Sequence, residues 1–308
     1  MTNPLRFALL LVLASGCARV ATTRPRPVTQ SFAGFDVAIY PGEAAMRAWL
    51  RPNSPYYWVG YYLPAPCHRD TSWAGKRATL AGMGWGLAVL YVGQQAWEGV
   101  PERVAAADTA RPAGDTAGAA AGVQRNIVCS RTLLTAAQGL AEANDAITKA
   151  SADGFPRGTH IFLDIERMTT IPQAMRDYYR AWVARVLADG RFRPAIYAHQ
   201  RNAAEIYGDV RATFDAAGVR DEPSFWVSSP AAATLTSSPS EVGFRFARVW
   251  QHALDASQTF NGVTLRRIDA NVSDSPSPSA AGPVIANSGQ SAARGPAGAP
   301  PGLVTVSP

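Results

Sequence analysis

Between residues 33 and 274, short apolar runs alternate with longer segments in which apolar residues recur every three or four positions. The short runs have the β-branched and aromatic content of strands, and several are apolar throughout, as in strands that helices cover from outside. The longer segments have the periodicity of amphipathic helices. The pattern predicts eight strands: 35–40, 57–63, 87–92, 161–166, 194–199, 225–228, 247–252 and 267–272.

This alternation predicts the fold class. Strands joined by helices form a parallel sheet with right-handed crossovers. Eight of them in about 240 residues fit a closed barrel better than an open sheet. The chain also lacks the G-x-G-x-x-G and Walker loops that open sheets use for nucleotides. We therefore predict a single-domain α/β protein with the architecture of a (β/α)₈ TIM-type barrel.

Three of the predicted helices have recognisable ends. Ser130 is expected to cap the helix that follows the third strand. Pro172 suits the first position of the next helix, which Gly190 ends. Asn202 and Glu205 resemble a capping box at the start of the third. The second helix has one apolar stripe: Met175, Tyr179, Trp182 and Val186.

The first residues have the pattern of an export signal. Arg6 precedes the apolar run 7–14, which is too short to span a bilayer as a stable anchor. The run ends in LASGC, which resembles a bacterial lipobox whose cysteine, Cys17, becomes lipid-modified. The usual pattern has Leu where this chain has Ala14, so a conventional cleaved signal remains the alternative. We expect a membrane-anchored lipoprotein of the bacterial cell envelope, or a secreted protein if the lipobox is not used.

Composition divides the chain into four parts. Residues 1–17 are the expected lipoprotein signal peptide, and residues 18–32 are expected to be a flexible tether. The barrel occupies residues 33–274. Residues 275–308 are rich in Pro, Ser, Ala and Gly and are expected to be disordered, because they bury too little apolar surface to offset the entropy of ordering.

The net charge of +6 suggests an anionic partner until its distribution is considered. Five of the 29 Lys and Arg residues lie in the two terminal segments, which contain no acid, so the barrel has 24 basic residues against 23 acidic ones. No basic stripe with interleaved aromatic residues is present. We therefore expect no nucleic-acid partner, and we expect the barrel to be a monomer.

The other two cysteines indicate a disulfide. With Cys17 lipidated, Cys67 and Cys129 remain in an oxidising compartment, where they are expected to pair; two unpaired buried thiols are the alternative. The Cys and His spacings of a zinc site are absent. We expect no metal and no other cofactor.

The fourth predicted strand has the most informative sequence. It is an apolar run that ends in Asp164 and Glu166, and because strand side chains alternate, both carboxylates point to the same face. Two acids at the end of a buried strand are costly unless they are paired or used. In α/β proteins the carboxyl end of a strand is where chemistry usually lies.

A closed barrel would bring polar residues from several other strands to the same mouth. Carboxylates supply acids, bases and nucleophiles, amides bind sugar hydroxyls, and aromatic faces stack on sugar rings. The expected catalytic group is Glu166, Asp164 and Asp36. The expected substrate-binding residues are Tyr197, Trp226, Gln251, Asp269 and Asn271.

The order of these motifs resembles that of two related families. GFDV at 34–37, the Asp164-Ile165-Glu166 motif, the strand of Tyr197, WQ at 250–251 and IDAN at 268–271 resemble the glycoside hydrolase family 25 lysozymes. The closer resemblance is to a bacterial family of exported glycoside-hydrolase-like barrels, which the YVGQQ at 91–95 also matches. It covers about residues 33–274 and implies a TIM-type barrel.

The resemblance also implies muramidase chemistry on peptidoglycan. Glu166 would be the general acid on the glycosidic oxygen. Asp164 would orient the substrate's N-acetyl group or stabilise a positive centre, and Asp36 would support it. In these lysozymes the N-acetyl carbonyl is thought to attack the sugar carbon, so that no enzyme nucleophile is needed. Independently, two neighbouring acids repel, so the pKa of one rises, and we assign the raised pKa to Glu166.

Other interpretations remain open at this stage. Asp164 and Glu166 could form a structural ion pair with Arg167 or Arg193. The lysozymes place a further acid on a late strand, where this chain has Ser228, which favours a non-catalytic glycan-binding or scaffold lipoprotein on the same barrel. A metal-dependent phosphodiesterase would need a set of ligands that we cannot assemble from the sequence.

Overall fold

The computed structural model describes residues 31–96 and 129–281. Cys17, the expected signal peptide, nearly all of the expected tether, residues 97–128 and residues 282–308 lie outside the described residues. Within the described parts of the chain, no helix has the length and apolarity needed to span a membrane.

Eight strands close into a barrel in which each strand is hydrogen-bonded to its neighbours in sequence. The predicted barrel is therefore confirmed. The strands are β1 Phe32–Asp36, β2 Trp58–Tyr62, β3 Gly86–Tyr91, β4 His160–Ile165, β5 Arg193–His199, β6 Ser224–Ser228, β7 Ala247–Phe260 and β8 Val263–Ser273. The helices are α1 Glu43–Ala48, α2 Arg77–Met83, α3 Ala136–Ala152, α4 Gln173–Asp189 and α5 Gln200–Ala216, with 3₁₀ turns at Arg131–Leu133 and Pro239–Val242.

The direction of the last strand differs from the prediction. β1 to β7 are parallel, but β8 runs antiparallel to both β7 and β1. The reason is a tight turn at Asn261 and Gly262, both of which have positive φ angles. A two-residue hairpin turn requires this conformation, and Asn-Gly is the sequence that adopts it most readily. No helix therefore separates the last two strands.

The helix ends are partly as predicted. α4 follows Pro172, ends at Gly190 in the left-handed conformation, and buries its predicted stripe. Ser130 caps the short 3₁₀ turn, whereas Thr135 caps α3. The capping box at Asn202 is wrong: α5 begins earlier, and the Asn202 side chain instead bonds both backbone groups of Met168.

Aromatic side chains fill the barrel interior. Trp226 contacts Trp58, Phe162 and Tyr197 edge-on, with ring centroids 5.5 to 5.7 Å apart. Alternation along β4 sends Phe162 into this layer and Leu163 outward against the helices. Asp164 therefore follows Phe162 to the inside of the barrel. The packed layer forms the base on which the polar mouth rests.

The segment after β8 stays on the barrel instead of being disordered from residue 275. Ser279 accepts a hydrogen bond from the amide of Val89 through its Oγ (2.7 Å) and one from the amide of His160 through its carbonyl (2.8 Å). His160 is the first residue of β4, and the amide of Leu87, the second residue of β3, donates to Oγ of Ser277, so this segment lies against the end of the barrel opposite the mouth.

The predicted disulfide between Cys67 and Cys129 is present, with a Cα–Cα distance of 4.8 Å. The amide of Cys67 also donates a hydrogen bond to the carbonyl of Val92, at 3.1 Å. The disulfide thus joins the chain after β2 to the chain before α3, and the hydrogen bond joins both to the loop that follows β3.

Candidate active site

The mouth of the barrel contains a cavity of about 780 Å³ that four carboxylates line: the exposed Asp255 of β7, and three that are buried or partly buried. Asp36 is the last residue of β1, Glu166 directly follows β4, and Asp269 lies in the antiparallel β8. All three line the cavity, together with Tyr62 and Tyr197. Closure of the barrel thus brings together acids that are more than 200 residues apart in sequence.

Asp36 is held from three directions. Tyr62 donates a 2.7 Å hydrogen bond to its Oδ1, and the amides of Asn271 and Gln251 donate to its Oδ2 at 2.8 and 3.3 Å. Burial raises the pKa of Asp36, and these three hydrogen bonds, which favour the carboxylate, oppose the rise. Asp36 is fixed in place by its neighbours rather than free to move.

Gln251 links Asp36 to a second carboxylate. It accepts a 2.7 Å hydrogen bond from the Tyr197 hydroxyl and donates to Oδ2 of Asp269 at 3.1 Å. Burial, followed by the charge of Asp36, raises the pKa of Asp269 to about 7. Asp269 therefore changes its charge near neutral pH.

Asp164 and Glu166 have different surroundings although they lie two residues apart. Asp164 is buried, and its Oδ1 has no hydrogen-bond partner. Burial, the Glu166 carboxylate and Asp36 together raise the pKa of Asp164 well above its ordinary value. Burial and Asp36 also raise the pKa of Glu166, while a hydrogen bond from the Arg167 backbone opposes this. The sequence analysis assigned the raised pKa to Glu166, whereas in the structure the pKa of both acids is raised and that of Asp164 rises strongly.

The ion-pair interpretation of these acids finds no support in the described residues. Arg193 forms its salt bridge with Asp221, on the outside of the barrel. Arg167 is exposed at the cavity rim, and no salt bridge joins it to Asp164 or Glu166 among residues 31–96 and 129–281. Burial, together with repulsion between the acids, therefore raises the pKa values at this site.

Three expected substrate-binding residues lie beneath the cavity rather than on its wall: Trp226, Gln251 and Asn271. Trp226 is fully buried in the interior layer, and its indole N–H donates to Oδ1 of Asn271 at 3.0 Å. Asn271 is equally buried. The expectation that Trp226 stacks on sugars is therefore corrected, because its faces contact other aromatic side chains. Asn271 binds Asp36 rather than a ligand.

The sequence analysis missed several residues of the site. Tyr62 bonds Asp36, and Gln95 bonds the backbone on both sides of Ile165. The rim also has three exposed arginines: Arg167, which follows β4, and Arg266 and Arg267, which lie in β8. The motif YVGQQ contains Gln95, but it entered only as part of a resemblance.

The described acids and histidines of the mouth are not arranged as a metal site. Within the described parts of the chain, no three His, Cys, Asp or Glu side chains are arranged to hold a metal ion. His199 lines the cavity, but its Nδ1 accepts a hydrogen bond from the amide of Arg201 at the start of α5. The candidate chemistry of the site thus rests on carboxyl groups.

The comparisons with known proteins agree with this picture. A family profile described as "Rv2525c-like, glycoside hydrolase-like domain" matches residues 47–273, and the chain therefore belongs to this family. The predicted membership of a glycoside-hydrolase-like barrel family is confirmed. The search of curated proteins finds no match.

Several solved structures are similar at low sequence identity. An uncharacterized B. stearothermophilus protein is 16% identical, with a TM-score of 0.46 over 79% of this chain and 95% of that one. The Mycobacterium tuberculosis Tat-secreted protein Rv2525c is 15% identical, with a TM-score of 0.43 over 79% and 94%. The bacterial lysozyme from Streptomyces coelicolor is 15% identical, with a TM-score of 0.43 over 78% and 90%.

Proposed function

We propose that this protein is a cell-envelope glycoside hydrolase that cuts glycan linkages of peptidoglycan, with Glu166 as the general acid. The observation that carries the proposal is the position of Glu166. Its carboxyl lies on the cavity wall beside two other acids, its pKa is raised, and no salt bridge holds it among the described residues. A carboxylic acid in this state keeps its proton to higher pH than usual.

Access to the cavity favours Glu166 over Asp164 as the acid. A general acid must come within hydrogen-bond reach of the leaving oxygen, so geometry takes precedence over pKa. Glu166 lines the cavity and is partly exposed, whereas Asp164 lies deeper and does not line it. Burial and the Asp36 carboxylate raise the pKa of Glu166, and Asp164 lies behind it with an Oδ1 that has no hydrogen-bond partner among the described residues.

The proposed reaction needs no nucleophile from the enzyme. Glu166 gives its proton to the glycosidic oxygen as the C1–O bond breaks, and the oxygen of the neighbouring acetamido group forms a bond to C1. Water then attacks C1, gives its proton to the Glu166 carboxylate, and releases the acetamido oxygen. Atoms and charge balance over the cycle, and Glu166 serves first as acid and then as base.

The decisive experiment uses the protein without residues 1–17 and purified peptidoglycan. Wild type is expected to release new reducing ends, and Glu166→Gln, which is isosteric but carries no acidic proton, is expected to release none. Glu205→Gln is the matched control, because Glu205 pairs with Arg176 on the helical surface. Equal release by wild type and Glu166→Gln would reject the hydrolase.

A non-catalytic glycan-binding protein is the second candidate. The observation that favours it is that Asp36 is fully occupied by Tyr62, Asn271 and Gln251, while Asp164 is sunk below the cavity. Under this alternative, wild type and Glu166→Gln would sediment with insoluble peptidoglycan to the same extent, and neither would release reducing ends.

We also propose that the chain is exported and anchored to the membrane through a lipid on Cys17. The sequence of residues 1–17 supports this, and the M. tuberculosis protein that it resembles is described as Tat-secreted. Fractionation of cells that express the full chain tests the anchor. Wild type is expected in the membrane fraction and Cys17→Ser outside it, whereas an equal distribution would reject lipidation.

A further inference from the structure

The Gln95 side chain occupies an unusual place for a polar residue. It lies four residues beyond the end of β3 and is only 1% exposed. Its Nε2 donates to the backbone carbonyl of Asp164 at 2.8 Å, and its Oε1 accepts from the backbone amide of Glu166 at 3.0 Å. Both hydrogen bonds are made to the backbone of β4, one on each side of Ile165.

These two bonds continue the β3–β4 ladder with a side chain. The backbone pairing of the two strands ends at Tyr91 and Leu163. In a parallel pair, one residue bonds the carbonyl before and the amide after the residue that it faces. The Gln95 amide makes the same two bonds around Ile165, so it takes the place of a peptide group where β3 has already left the sheet.

From this geometry we infer that Gln95 is a positioning residue that holds the end of β4 extended and thereby keeps Glu166 at the cavity wall. The inference rests on the proposed function of Glu166. Without the Gln95 amide, the carbonyl of Asp164 and the amide of Glu166 lose their partner on this side of the sheet. The chain at Glu166 could then move toward solvent.

The loop that carries Gln95 is itself held by buried groups on α3 and α4. The backbone amide of its neighbour Gln94 donates to the Tyr178 hydroxyl at 3.1 Å, and the Gln94 side chain donates to Oε1 of Glu142 at 2.8 Å. Tyr178 also donates to Glu142. The loop lies so close that a Cβ on Gly93 would come within 2.1 Å of the Tyr178 hydroxyl. The positioning of Glu166 thus depends on helices that have no contact with the cavity.

The experiment compares wild type with Gln95→Met, an unbranched side chain of similar length that makes neither hydrogen bond. Gln258→Met is the control, since Gln258 bonds Tyr56 away from the cavity. Two properties of Glu166 are measured without any turnover: hydrogen exchange of its backbone amide, and the titration of its carboxyl, assigned by difference from Glu166→Gln. Turnover of a soluble glycan fragment is measured in parallel.

Gln95→Met is expected to speed exchange of the Glu166 amide and to lower the titration midpoint of its carboxyl, because a more solvated carboxyl has a lower pKa. It is expected to lower kcat about 10- to 100-fold with little change in KM, and to shift the basic limb of the pH profile to lower pH. Gln258→Met is expected to match wild type in all of these.

The inference is overturned if Glu166 in Gln95→Met has the same amide exchange and the same carboxyl titration as in wild type. If wild type turns over, an equal kcat in Gln95→Met overturns it as well. A wild type without turnover would reject the proposed function, and the exchange and titration would then decide alone whether Gln95 sets the state of Glu166. If Gln95→Met does not fold, Gln95→Asn, which keeps the amide but is one methylene too short, is measured in its place.

Discussion

The side-chain amide of Asn271 donates a 2.8 Å hydrogen bond to Oδ2 of Asp36, and so joins the last strand of the barrel to the first just beneath the cavity. The same amide bonds the carbonyl of Asp269, and Oδ1 of Asn271 accepts the indole N–H of Trp226. One side chain thus satisfies three polar groups.

Replacing this residue tests how much the link contributes. Asn271→Ala leaves the Asp36 carboxylate and the Trp226 N–H each short of a partner, so we expect a loss of about 2 to 4 kcal/mol in the free energy of unfolding, measured by urea denaturation. Asn144→Ala, which removes an exposed hydrogen bond to Arg185, should cost less than about 0.5 kcal/mol. Equal losses in the two variants would contradict the role of Asn271.

The raised pKa values predict how stability depends on pH. The folded pKa of Asp269 is about 7, above its ordinary value, so the stability linked to this group is complete below about pH 4 and is lost as the pH rises through 7. Asp269→Asn removes this loss. We expect its melting temperature to exceed that of wild type by about 2 to 6 °C at pH 8 and by much less at pH 5.

The control for this prediction is an acid on the surface. Asp221→Asn removes an exposed carboxylate that pairs with Arg193 at 3.7 Å, and its melting temperature relative to wild type should not change between pH 5 and pH 8. A difference for Asp269→Asn that is the same at both pH values would contradict the assignment.

The disulfide predicts a redox-dependent stability. Cys67 and Cys129 are 62 residues apart, so their link restricts the unfolded chain, and its loss is expected to cost about 2 to 4 kcal/mol. Thermal unfolding with dithiothreitol should shift to lower temperature. In the double variant with Ser at both positions the reductant should have no further effect, and a continued response would show that it acts elsewhere.

The segment after β8 predicts the result of shortening the chain. A chain that ends after residue 281 keeps both hydrogen bonds of Ser279, whereas one that ends after residue 274 leaves the amides of Val89 and His160 without these partners. We expect the shorter form to lose at least about 2 kcal/mol in urea denaturation. Equal stability of the two forms would show that residues 275–281 contribute nothing to the barrel.

The sequence predicted the barrel because the spacing of apolar residues within one segment is enough to distinguish a strand from a helix. Apolar runs such as that of β4 give the strands, and the stripe on α4 gives the buried face of a helix. The turn at Asn261 and Gly262 was also readable, since Asn-Gly is the strongest short-range hairpin signal. The antiparallel direction of β8 could therefore have been predicted.

The arrangement of the site was less accessible to sequence analysis. The positions of Asp164 and Glu166 on their strand predicted which face of the sheet they occupy. They did not predict how deep each side chain lies in the barrel, and this depth decides whether a residue lines the cavity or lies in the layer beneath it. Trp226 and Asn271 have the spacing of mouth residues yet lie in that lower layer. The role of Gln95 depends on a contact across 71 residues, which no local pattern contains.

The link between β1 and β8 has a consequence for how the protein folds. Asp36 lies in the first strand, and its partners Gln251 and Asn271 lie in the last two strands, so the carboxylate is fully bonded only when the barrel closes. The acids of the mouth therefore reach their final arrangement in the same step that closes the barrel.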